Sequence, residues 1–127
     1  MIPKFRAWDK ENRQMCNVGA LYSSRDYEIE LVSVHLHSGL VINRNLGNCI
    51  LMQSTGLIDR NGVEIFEGDI VSIEDHPFQK TKDSVVGVQI DGNYEIGWND
   101  HDMTWCAGSL LLARLKPYVA VVGNIYE

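Results

Sequence analysis

Short apolar runs with a period of two, cut at close intervals by Gly, Asn and Asp, constrain this chain more than any other feature. A period of two puts alternate side chains on one face of a strand, whereas a helix needs apolar residues three and four apart. No amphipathic helical pattern lasts longer than about two turns. The densest signal is Gln53 to Ile73. There Asp59-Arg60-Asn61-Gly62 places an Asp that can accept from the backbone ahead of it before an Asn and a Gly that tolerate positive φ. Glu67-Gly68-Asp69 reads as a second tight turn, and Ile70 to Ile73 as a strand rich in β-branched residues. Gly56, Gly62 and Gly68 are regularly spaced, but no Lys-Ser/Thr follows and no helix pattern begins there. They read as backbone freedom in turns, not as a phosphate loop.

The rest of the chain follows the same grammar. Lys4 and Arg6 alternate with Phe5 and Ala7, a strand to Trp8, and Asp9 to Gln14 is a polar turn. Met15 to Leu21 returns as a strand. Tyr27, Ile29 and Leu31 alternate with Glu28 and Glu30 and run on to His35, with a phase shift at Leu31-Val32 that predicts a bulge or burial on both faces. After a polar loop containing Pro77, Val86, Val88 and Ile90 alternate, Asp91-Gly92 signals a hairpin, and Tyr94 to Trp98 is its partner. Met103 to Cys106 pairs again, Leu110 to Leu115 is a short helix or a strand, and Tyr118 to Tyr126 is a last buried strand. About eight to ten short strands with frequent turn signals predict a mainly β fold, with β-dominated α+β as the alternative. The expected layout is a β-rich N-terminal lobe over residues 1–52 packed on a small SH3-like β-barrel over 53–127, as one compact unit. A Gly-Asp turn feeding a β-branched strand is common at the entry of such barrels.

Charge narrows the function classes. Asp plus Glu number 17 against 11 Lys plus Arg, a net charge of -6. Phosphate neutralisation supplies most nucleic-acid affinity, so a nucleic-acid partner is disfavoured. The denser basic groups, Lys4 with Arg6 and Arg13, and Lys80 with Lys82, read as solvated faces. Cys16, Cys49 and Cys106 are far apart and form no CxxC, which argues for free thiols in a reducing compartment. The N-terminus lacks a signal-peptide core and no run approaches the roughly 20 apolar residues of a membrane span, so a cytoplasmic location without membrane association is expected.

Several groups invite chemistry. His35-x-His37 would share one face of a strand and form half of a metal site, needing His76, His101 or Asp102 from afar. Two exposed strand histidines are the simpler reading. Asp100-His101-Asp102 lies in a predicted turn, where neighbours rarely face one another, and Ser109 and Cys106 lack any nucleophile signature. Glu64, Glu67, Asp69, Glu74 and Asp75 could hold a metal, but Asp69 follows Gly68 in a turn and fits a backbone acceptor. No catalytic residue, metal ligand or cofactor site is therefore assigned. Gly56, Asp59, Asn61, Gly62, Gly68 and Asp69 are read as a structural turn motif. Trp8, Tyr94, Trp98 and Trp105, with Tyr118, are either core or an exposed aromatic face of the kind that takes peptides.

Three segments carry a resemblance. Lys4 to Asp9, Gln53 to Val71 and Val122 to Glu127 are similar, in this order, to the opening, central and closing motifs of the YopX protein family of phages and prophages. Ser54 stands where the family frequently has an aromatic residue, and the chain stops at Glu127 where members often run on. The resemblance implies a mostly β fold with a barrel-like C-terminal half, a phage or prophage origin and a bacterial cytoplasmic setting. It implies no catalytic activity. The expectation is a non-enzymatic accessory protein that self-associates or binds a protein partner. The alternatives are nucleic-acid binding by the barrel face and a metal-assisted enzyme built on the acidic cluster.

Overall fold

The computed structural model describes residues 4–24, 28–77, 79, 87 and 90–127. They form β1 (Phe5–Asp9), β2 (Gln14–Ser23), β3 (Ile29–His35), β4 (Val41–Asn45), β5 (Cys49–Ile58), β6 (Glu64–Phe66), β7 (Asp69–Ile73), β8 (Gly92–Asn99), β9 (Thr104–Ala107), β10 (Leu110–Leu111) and β11 (Val119–Asn124). One short α-helix, α1 (Leu112–Leu115), and two 3-10 turns, Leu46–Asn48 and Lys116–Tyr118, interrupt the series. The strands make two antiparallel sheets, ordered β4-β3-β2-β1-β5-β6 and β10-β9-β8-β7-β11. The fold is mainly β. The chain divides into two compact units, Met1–Ser54 with Tyr126, and Thr55–Ile125 with Glu127.

In the first unit β1 is flanked by β2 and β5, with Ala7 opposite Cys16 on one side and Leu51 on the other. Ala7, Cys16, Val32, Val34 and Cys49 form the core, against which Val18, Leu21, Ile42 and Leu51 pack. The alternation through β1 buries Ala7 and carries one step further than the sequence suggests. Asp9, expected in the turn, is the last residue of β1 and is fully buried. Burial of this carboxylate is sustained because Asn12 and Arg44 supply its donors. The phase shift near Val32 corresponds to three consecutive buried residues, Val32, Ser33 and Val34, beside register shifts in the β2–β3 ladder. Tyr27, placed in that strand by the sequence, lies outside the described residues.

The second unit packs Ile65, Val71, Ile73, Ile96, Leu112, Leu115 and Val119 around one core. Fully burying each such aliphatic side chain contributes roughly 1.5–3 kcal/mol. β7 supplies the alternation read from the sequence, with Asp69, Val71 and Ile73 buried and Ile70 and Ser72 half-buried. Among the described residues its sheet is open, with β10 and β11 as edges, so the closed SH3-like barrel is not found. Leu110 to Leu115 resolves into both predicted elements, β10 and then α1. Val86 and Val88 lie outside the described residues. The strand expected to precede the Asp91-Gly92 turn lies largely outside the described residues. Gly92 is the first residue of β8 and pairs with Ile73, and β8 lies between β7 and β9.

Candidate functional site

The clearest exposed apolar feature of the second unit is the β8–β9 hairpin. Ile96 faces Ala107, Gly97 faces Cys106 and Trp98 faces Trp105 across the ladder. The turn between the strands is closed by the Asp102 amide, which donates to Asn99 Oδ1 at 3.1 Å. Trp98 and Trp105 meet edge to face, with centroids 5.2 Å apart and planes at 75°, a geometry favoured by the ring quadrupoles. Trp105 packs partly into the core, whereas Trp98 is 45% exposed and Met103, in the turn, is 70% exposed. A recess of about 550 Å³ adjoins this surface, lined among others by Glu95, Gly97, Trp98 and Asp100.

The four predicted face aromatics therefore have different surroundings. Trp98 and Trp105 are together. Tyr94 packs against the core and donates its hydroxyl to the Ile90 carbonyl. Its ring also crowds Gly108, where an added Cβ would meet Tyr94 Cδ1 at 2.9 Å. Trp8 belongs to the first unit and stacks on Tyr126, 5.8 Å away with planes 18° apart. Tyr118 lies against His76 at 4.9 Å. The sequence pattern does not single out Met103. The available signal was one long apolar residue following a polar turn, directly before a tryptophan strand.

The residues of the turn motif hold backbone. Asp59 is buried and its carboxylate accepts from the amides of Asn61, Val63 and Val121, each at 2.8 Å. Burial acts to raise its pKa, but the three amides, followed by the charge of Arg60, outweigh it and hold the group below the ordinary 3.8. Gly62 (φ 82) closes the turn by donating to the Asp59 carbonyl. Gly68 (φ 84) donates to Ile96 and accepts from Ile125, and Asp69 accepts from the Phe66 amide at 2.8 Å. Gly56 sits inside β5, not in a turn, with φ 77. Thr55 Oγ1 beside it donates to the Ile65 carbonyl and accepts from the Leu57 amide.

The other candidates separate. His37 bonds the Met15 carbonyl through Nε2 at 2.9 Å, and the ring of His35 lies over Gly19. Asp100, His101 and Asp102 occupy the exposed β8–β9 turn. Glu74 pairs with Arg60 at 3.8 Å. Among the described residues no three His, Cys, Asp or Glu side chains are placed to hold one metal ion. The three cysteines are free and buried. Burial first, then the nearby Asp9, pushes the Cys16 and Cys49 thiols up. Lys80 and Lys82 lie outside the described residues. No described helix is long and apolar enough to cross a membrane.

Each motif segment takes part in strand pairing. The opening segment, as β1, pairs with β5 from Asp9–Cys49 to Phe5–Gln53. The central segment, as β7, pairs with β11 from Ile73–Val119 to Asp69–Asn124. The curated proteins yield no match. Among solved structures, the chain is similar to the crystal structure of protein EF1440 from Enterococcus faecalis, with 27% identity, coverage of 100% of this chain and 95% of that one, and a TM-score of 0.67. The family described as YopX protein matches residues 4–127. With that match running from the opening strand to the last residue, the chain belongs to the YopX protein family.

Proposed function

We propose that this protein is a non-enzymatic phage or prophage accessory protein of the bacterial cytoplasm, acting by protein–protein contact through the β8–β9 hairpin. The observation that supports this reading is the exposure of Trp98 and Met103 on a strand-held turn, with Trp105 fixing the Trp98 ring from behind. Large aromatic and methionine side chains are the residues most enriched in the centres of protein interfaces. Aromatic-lined surfaces on small β domains are a recurrent means of taking peptide partners. A nucleic-acid partner fits less well, because Glu95 and Asp100 line the adjoining recess and the chain carries a net charge of -6.

The test is affinity capture from phage-bearing cells with the wild-type protein and Trp98→Ala, alongside light scattering. Expected is a discrete protein partner, or a concentration-dependent oligomer, that Trp98→Ala weakens at least about tenfold. A strict monomer that captures nothing would sink the reading. Salt-sensitive binding of single-stranded DNA or RNA would replace it with the nucleic-acid alternative.

A further inference from the structure

A second recess, of about 400 Å³, lies elsewhere in the second unit. Its walls are Ile90, Leu110, Leu111 and Leu115. Ile90 and Leu115 are buried, and Leu111 is 36% exposed. Three polar side chains also line it: His76, Ser109 and Arg114. The local sequence explains the arrangement. Leu110 and Leu111 pair with Ala107 and Cys106 as β10, and the chain then turns directly into α1. Leu112 and Leu115 anchor that turn of helix in the core, which leaves Arg114 exposed. Among the described residues the Arg114 guanidinium has no ion pair or hydrogen bond. Among the described residues no carboxylate lines the recess.

Ligand sites of this size are mostly apolar and use a few polar groups to fix orientation. Among the described lining residues the one side chain that is always ionised is a guanidinium, whose planar fork matches a carboxylate with two parallel N–H···O bonds. β10 is two residues long, which is too short an edge for a peptide to extend the sheet. We propose that this recess binds a small amphipathic carboxylate, its apolar chain against Ile90, Leu110, Leu111 and Leu115 and its head group on Arg114, with Ser109 and His76 as further hydrogen-bonding groups. The site is separate in residues from the Trp98 hairpin and does not depend on the contact function.

The probe is octanoate, titrated into the full chain and followed by backbone-amide NMR and thermal melting. Saturable shifts centred on Ser109 to Leu115, with a raised melting temperature, are expected. Octanol, which keeps the chain and loses the charge, and the Arg114→Gln variant should each weaken binding about tenfold. Arg114→Lys should retain most of it, which separates charge recognition from disturbed folding. Equal octanoate affinity in Arg114→Gln, equal binding of octanol, shifts centred elsewhere, or no saturable binding would each overturn the proposal. So would a peptide ending in a free leucine carboxylate that binds through Arg114 when octanoate does not; that outcome would assign the recess to protein C-termini.

Discussion

Asp9 in the first unit and Asp59 in the second are both buried and both held below the ordinary aspartate pKa, by different donors. For Asp9, burial works against ionisation. The Asn12 side chain and amide, and then Arg44, outweigh it, with Asn12 Nδ2 at 2.8 Å and Arg44 Nε at 3.1 Å. Asp59 is held by three main-chain amides, one of them 62 residues away in β11. Backbone amides are placed by the fold and lose little entropy in making these bonds, whereas long side chains must be ordered to do so. The difference makes Asp59 a junction of the second unit. Asp9 is instead a charge that a side-chain cation has to neutralise.

Asp59→Ala breaks that arrangement most severely. It leaves the Asn61, Val63 and Val121 amides without their acceptor, and a buried unsatisfied donor costs about 1–3 kcal/mol. We expect a total loss of about 4 kcal/mol, since water can reach part of the turn. Urea unfolding followed by Trp98 and Trp105 fluorescence, which report on the second unit, checks this. A loss below about 1 kcal/mol would mean that the junction is not needed.

Arg44→Gln probes the other arrangement. Asp9 would keep Asn12 and lose its cation, with an expected loss of about 2 kcal/mol, because removing one partner strands a buried charge. The pH profile should move as well. Both aspartates have depressed folded pKa values, so each contributes stability that is fully present above the ordinary 3.8 and is lost as pH falls through the folded value. Removing Arg44 takes away one cause of the Asp9 depression, so acid unfolding of the first unit should begin at higher pH. That of the second unit should not move. Acid titrations read through Trp8 for one unit, and through Trp98 and Trp105 for the other, test the contrast; a common shift in both would break it.

How much of this was legible in the sequence depends on the range of the interaction. β7 and the Asp59-to-Gly62 turn rest on alternation, β-branching and residues within four positions of one another, and local pattern carries all of these. The third bond to Asp59 comes from Val121, and nothing near residue 59 announces it. In the sequence Asp9 reads as a turn residue, because a carboxylate in a polar run ordinarily seeks water. Its burial depends on Arg44, 35 residues later. Strand and turn counts suggest a barrel but do not specify whether the edge strands meet. The two tryptophans are visible as candidates in the sequence, but register puts both on one face, and packing against the core decides which one is exposed. Trp98 and Trp105 face each other across β8 and β9, and only Trp105 reaches the core.

The finest distinction between the units lies in their outer ion pairs. Arg44 contacts Glu11 at 2.6 Å, and Arg60 contacts Glu74 at 3.8 Å; both glutamates are mostly exposed. Exposed pairs are worth about 0–1 kcal/mol and weaken with salt. The two should nevertheless behave differently. Glu11 holds the guanidinium that also serves buried Asp9, so Glu11→Gln loosens a group the core charge depends on, and a loss of about 0.5 kcal/mol is expected. In an Arg44→Gln background the same change should have no further effect, because the coupling passes through Arg44. Glu74→Gln should be neutral within error, since Asp59 takes its bonds from the backbone and only a small contribution from Arg60. A double-mutant cycle at low and high salt measures both. Equal and additive losses at Glu11 and Glu74 would show that Arg44 supports Asp9 without help from its outer partner, and the first unit would then differ from the second only in its inner donors.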